Sequence, residues 1–357
     1  MIMNPARRRA VIAGLCAVAV TGGLASPAQA GPALASGIPQ FGERFDRVAT
    51  LPVFRNSAPG QQTAAEIIAA TDDGRLAVYT DSPAQQIGFV DIADLAAPRP
   101  AGVLPVPGEP TSVQIVGDLA LVAVNTSASF TEPSGRLVVV DVRRRAIVAE
   151  HDLGGQPDSI DVSPDGRYAA VAIENERDED VNDGRIPQLP AGFLAILDLT
   201  GAPAGWPVRR VELTGLADVA PEDPEPEFVS INNRNQVVVT LQENNHIAVV
   251  DLASGRIVTD FTAGTGTASG VDTVEDGTIR LDGTVTLPRE PDAVGWLDDR
   301  HVATADEGDL VGGSRTWTVF DTRDGSVVFS SGAELEQLAV RYGQIQRGPG
   351  GEQGRGT

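Results

Sequence analysis

The stretch EPEFVSINNRNQVVVTLQENNHIAVVD, residues 225–251, decides the fold. A proline turn, Glu225-Pro226-Glu227, feeds the apolar run that begins at Phe228-Val229. A second run from Gln236 closes on the polar group Glu243-Asn244-Asn245. A third, from Ile247, ends at Asp251 and a turn. Short β-branched runs bounded by Asn, Asp and Gly are strand signals, and a 3.6-residue period is absent.

All three markers recur along the chain. The proline turn returns as Glu109-Pro110-Thr111, Gln156-Pro157-Asp158 and Glu290-Pro291-Asp292, with Glu66-Ile67-Ile68 as a degenerate first copy. Polar clusters follow the second run at Asn125, Glu174-Asn175-Glu176 and Asp306-Glu307-Gly308-Asp309. Third runs end at Asp91, Asp141, Asp198 and Asp321. Successive prolines lie 47, 69 and 65 residues apart. The short interval suits a four-stranded unit, and the long ones suit a unit plus an insertion. No single unit can bury its own apolar face, so stacking around an axis is the physical solution. The expectation is an all-β chain, a β-propeller of WD40/YVTN-like repeats spanning residues 61–342, with five readable units. Gly332 to Arg341 reads as a helix. Residues 343–357 read as a disordered tail, and the repeat is expected to be incomplete at the C-terminus.

The first thirty residues read differently. Arg7, Arg8 and Arg9 precede an apolar stretch and the small-residue site Ala28-Gln29-Ala30, the pattern of a signal peptide over residues 1–30 cleaved near Ala30. Residues 31–60 read as a Gly/Pro/Ala-rich lead-in with one strand near Phe45 to Phe54. The expected location is secreted, extracellular or in the cell envelope, without a transmembrane anchor. The only cysteine, Cys16, lies in the leader, so no disulfide is expected to staple the remainder. The formal charge is -22 and lysine is absent, which excludes nucleic acid as a partner because phosphate binding needs neutralising cations. Removing the three leader arginines makes the charge -25.

Acidic side chains at equivalent repeat positions should gather at one end of the sheets and supply hard oxygen ligands. The candidate ligands are Asp158, Glu174, Glu176, Glu227, Glu243, Asp292, Asp306, Glu307 and Asp309, and the expected cofactor is Ca²⁺. The competing reading makes each of these acids a turn cap. Asp178, Asp180 and Asn182 alternate as in a calcium loop, but Gly184 is one place late and Leu189 stands where a bidentate Glu belongs. His151, His246 and His301 fall at different phases of the repeat, and nucleophile-elbow and zinc-protease motifs are absent. His246 is the best acid/base candidate. Trp296 and Trp317 read as core residues.

The stretches around Pro226-Glu227-Phe228-Val229, Thr240 to His246, Arg289 to Val294, Thr304 to Asp309 and Gly312 to Arg315 resemble bacterial secreted proteins of the choice-of-anchor I domain family, over roughly residues 45–342. That resemblance implies an exported propeller of a family often labelled alkaline phosphatase-like or phytase esterase-like. Relatives are expected to continue past the helix. In an esterase, arginines such as Arg289 and Arg315 would take the phosphate. Two functions follow as expectations. The first is a monomeric binding or surface module stabilised by calcium, facing an extracellular or envelope partner. The alternative is a metal-dependent phosphomonoesterase or phytase-like esterase.

Overall fold

Each recurrent apolar run forms a strand, and each group of four strands forms one antiparallel sheet. The computed structural model describes residues 47–344 except 275 and 312. The leader, most of the lead-in and the tail from 345 lie outside the described residues.

Sheet one contains β1 (Ile68–Ala70), β2 (Leu76–Asp81), β3 (Gln86–Asp91) and β4 (Arg99–Pro105). Sheet two contains β5 (Glu109–Val116), β6 (Leu119–Asn125), β7 (Gly135–Asp141) and β8 (Ala146–Asp152). Sheet three contains β9 (Pro157–Val162), β10 (Tyr168–Ile173), β11 (Phe193–Asp198) and β12 (Val208–Glu212). Sheet four contains β13 (Pro226–Ile231), β14 (Gln236–Leu241), β15 (His246–Asp251) and β16 (Arg256–Thr262). A separate hairpin follows, β17 (Thr265–Val271) with β18 (Gly283–Pro288). Sheet five contains β19 (Pro291–Trp296), β20 (His301–Asp306), β21 (Trp317–Asp321) and β22 (Ser326–Ser330), and the helix α1 (Glu334–Tyr342) comes last. Within every sheet the strands lie in sequence order. The two long proline intervals are thereby explained: one holds the loop between β10 and β11, the other the β17–β18 hairpin.

The sheets pack in succession through their first strands. β5 lies on β1 and β2, β9 on β5 and β6, β13 on β9 and β10, and β19 on β13 and β14. One apolar cluster fills each junction: Phe89 with Val122, Leu137 with Val171, Ala170 with Val239, and Val249 with Phe320. Small and β-branched residues suit these layers, because neighbouring pleated faces interdigitate there.

The proline marker is a bulge device. Asp158 and Ser159 oppose one residue of β10, Glu227 and Phe228 one of β14, and Asp292 and Ala293 one of β20. In sheet two, Thr111 is the extra residue. A bulge takes its residue off the ladder and re-aims the side chain. In sheets three, four and five the acid that follows the proline therefore occupies the irregular position of its strand.

The polar markers divide into two kinds. The Asp residues ending third strands are turn caps: Asp91, Asp141, Asp198, Asp251 and Asp321 each accept a backbone N–H two or three residues on. Asn244 is also structural. Its Oδ1 accepts from Glu225 N at 2.9 Å, and its Nδ2 lies within hydrogen-bond reach of the Val219, Ala220 and Asp223 carbonyls. Asn244→Ala leaves the buried Glu225 N–H without a partner. It is expected to lower stability by about 2–3 kcal/mol, read as a reduced urea midpoint at unchanged slope.

Two local expectations need correction. The Phe45 to Phe54 region forms no strand among its described residues. It ends in a short 3₁₀ turn, Val53–Asn56, behind Pro52, and Leu51 and Val53 cover the outer face of sheet one at Ala77, Tyr79 and Val90. Asn56 fastens that cover by bonding Gly102 N, Gly102 O and Phe89 O. Trp296 packs partly against the junction of sheets four and five and donates to Ser230 O at 2.9 Å. Trp317, in contrast, is 36% exposed, because it points from the free face of sheet five and stacks only on Phe329. The helix does form, seated on the β17–β18 hairpin through Ala333, Ala268 and Val271.

Candidate metal centre

Asp158, Glu174 and Glu227 converge. Each offers a carboxylate oxygen, and the three oxygens lie within 4.8 Å of one another. Asp158 and Glu227 come from the bulges of sheets three and four, and Glu174 directly follows β10. Among the described residues, this is the group of His, Cys, Asp and Glu side chains that could hold one ion.

The electrostatics of the cluster run one way. Burial first, and Glu176 second, push Asp158 up to about 7. Burial, then Asp158 and Glu176, hold Glu174 well above the carboxylate range. Burial, then Glu174 and Asp158, do the same to Glu227. Asp292 is pushed up to about 8 by burial, by Asp158 and by its contact with Glu307. The described residues place no hydrogen-bond donor on the Asp158, Glu174 or Glu227 carboxylates. Buried charge without a partner is strongly unfavourable, so such a cluster demands protons or a cation.

The other predicted ligands are arranged differently. Glu176 accepts from Gln156 Nε2 at 3.1 Å. Glu243 and Asp309 are both paired with Arg177, Glu243 at 2.6 Å. Glu307 meets Asp292 instead of the triad. Asp306 is bound by the hydroxyls of Thr304, Thr316 and Thr318, a complete donor set that leaves it little to offer an ion. Arg289 is buried and donates to Ala263 O at 2.7 Å and Thr318 Oγ1 at 3.1 Å, and Arg315 pairs with Glu336 at 3.5 Å. Both arginines proposed for phosphate are thus engaged elsewhere. His246 faces Asp260 at 3.1 Å and so serves its own strand pair.

The Asp178 to Gly184 segment is a loop closed by its own backbone and by Gln188. Asp178 Oδ1 accepts from Asp180 N, and Gln188 Nε2 lies within hydrogen-bond reach of the Asp178, Val181 and Arg185 carbonyls. Arg177 and Glu225 escaped the sequence reading. A lone arginine in an insertion has no spacing to mark it, and Glu225 was legible only as a proline-turn residue.

A narrow cavity of about 30 Å³ lies beside the triad, lined by Glu66, Thr111, Asp158, Phe228 and Asp292 among others. Thr111, Asp158, Phe228 and Asp292 come from the bulges of sheets two to five, and Glu66 lies two residues before β1 of sheet one. The space suffices for a water or a bare cation. Beside the apolar Ile67 and Phe228, its lining offers carboxylate and hydroxyl oxygens and no His or Cys, which suits Ca²⁺ or Mg²⁺ and not zinc. Oxygens 4.8 Å apart can share one Ca²⁺, since Ca–O distances are about 2.3–2.6 Å.

No helix among the described residues is long and apolar enough to cross a membrane. A search of curated proteins returns no match to the chain. The family model for the choice-of-anchor I domain matches residues 66–312, which include all four proline turns, the triad and every sheet up to the β20–β21 loop. By that match over more than half of its length, the chain belongs to the choice-of-anchor I domain family.

Proposed function

We propose that this chain is a secreted or surface-associated β-propeller module whose axial acids bind calcium, and that it presents its loops to an extracellular or envelope partner. The observation that carries the reading is the Asp158–Glu174–Glu227 triad, three converging carboxylates without donors. The propeller geometry is supported by five four-stranded meanders packed in chain order through their first strands. It is supported too by one cavity that residues of all five first-strand regions line. The location is supported by the family and by the leader pattern of the first thirty residues. An ion held by Asp158 and Glu174 on one sheet and Glu227 on the next would clamp sheets three and four. It would do so where sequence alone leaves uncompensated charge.

The test is calcium titration of the chelator-stripped chain by calorimetry, together with thermal melts. One tightly held ion per chain is expected. Calcium at a hundred times its dissociation constant should stabilise the fold by about 2.7 kcal/mol. For a domain of this size that is roughly 5–10 °C in Tm. A melt that ignores both calcium and magnesium would remove the metal from the proposal.

A further inference from the structure

Arg177 stands three residues after Glu174 on the segment that leaves β10. It is 7% exposed, and its guanidinium is distributed over three elements of other sheets. Nη1 lies 2.6 Å from Glu243 Oε1 and 3.3 Å from Glu225 Oε2, Nη2 pairs with Asp309, and Nε donates to Gly184 O at 2.6 Å. Glu225 is in turn two residues before the triad member Glu227. One arginine therefore ties the segment carrying Glu174 to the segment carrying Glu227. Asn175 pins the same stretch from the other side: its Oδ1 accepts from Gln156 N, and its Nδ2 reaches the Pro190 and Ala191 carbonyls. Glu225 Oε1 and Glu243 Oε2 are buried and have no hydrogen-bond partner among the described residues, so the cluster holds more acceptor oxygens than Arg177 satisfies.

We infer that Arg177 is a positioning residue for the cation site, holding the Glu174 and Glu227 carboxylates at the separation that one ion requires. This inference rests on the calcium reading above. Two physical roles for Arg177 predict opposite signs. A guanidinium close to a bound cation repels it, so as a mere charge Arg177 weakens calcium binding and its removal tightens it. As the tie between two ligand-bearing segments it fixes ligand geometry, and its removal loosens binding.

The experiment is calorimetric calcium titration of the full chain as wild type, R177M and R177M/E225Q, with circular dichroism confirming the fold. R177M strands Glu225 and Glu243 in the interior without a cation. The double variant removes one of those charges and carries the same test where the single variant does not fold. The expected result is a calcium dissociation constant at least tenfold weaker in the folded variant. Binding equal to or tighter than wild type would overturn the positioning role while leaving the calcium reading intact. Absence of calcium binding by the wild type would overturn that reading, and this inference with it.

Discussion

In chelator at pH 8, the variant D158N/E227Q is expected to melt higher than the wild type, and in calcium lower. The crossing follows from what the two carboxylates meet. Asp158 is held near pH 7 by burial and by Glu176, and Glu227 is pushed up by burial, Glu174 and Asp158. At pH 8 without a cation Asp158 ionises against its surroundings, and Glu227 is disfavoured as an anion in the same way. A shift of one unit is about 1.4 kcal/mol, so the rise of Asp158 alone opposes folding by about 4 kcal/mol. Asn and Gln keep the side-chain volume, remove two ionisable carboxyls, and can donate N–H to the acids that remain. For a domain of this size the gain is on the order of 10 °C. Calcium should raise the wild-type melt and leave the variant unmoved, since two of three anionic ligands are gone. A variant less stable than wild type in chelator as well would show that both carboxylates have native partners.

Much of this arrangement was legible because strands and turns write themselves locally. Proline at 110, 157, 226 and 291 marks where four of the five units begin, and Asp158, Glu227 and Asp292 after three of them fall at equivalent bulge positions. The bulge that turns this acid off its ladder was not legible, since it depends on register between two strands: Pro226 pairs with Leu241 while Val229 pairs with Val239. The Asp residues after third strands and the acids after prolines look alike in composition. Only the former accept a backbone N–H from two or three residues on. Nor does spacing tell Asp306, enclosed by three threonine hydroxyls, from Glu174, which has no donor. Those threonines, at 304, 316 and 318, are brought together by the β20–β21 pairing.

The same logic gives the metal-free chain an inverted pH profile. Asp158, Asp292 and Asp161 are held near 7, 8 and 6 respectively, each by burial first, against ordinary values of 3.8. A carboxyl whose folded value is raised favours folding fully below its unfolded value, near pH 4, and loses that contribution as pH climbs through its folded value. Stability in chelator should therefore decline between about pH 5 and pH 8. The surface caps oppose this only in acid. Asp298 is pulled down to about 2 by its bonds to His301, and Asp165 is lowered by Asn235 and Ser163, so these contributions are lost only as pH falls below about 4. Bound calcium removes the penalty on ionising Asp158, Glu174 and Glu227, and binds better as they lose protons. Urea midpoints from pH 5 to pH 8 should consequently fall in chelator and stay level or rise in calcium. Two parallel curves would mean that the triad gives up no protons to the ion, and its acids would then be neutral hydrogen-bonding groups instead of ligands.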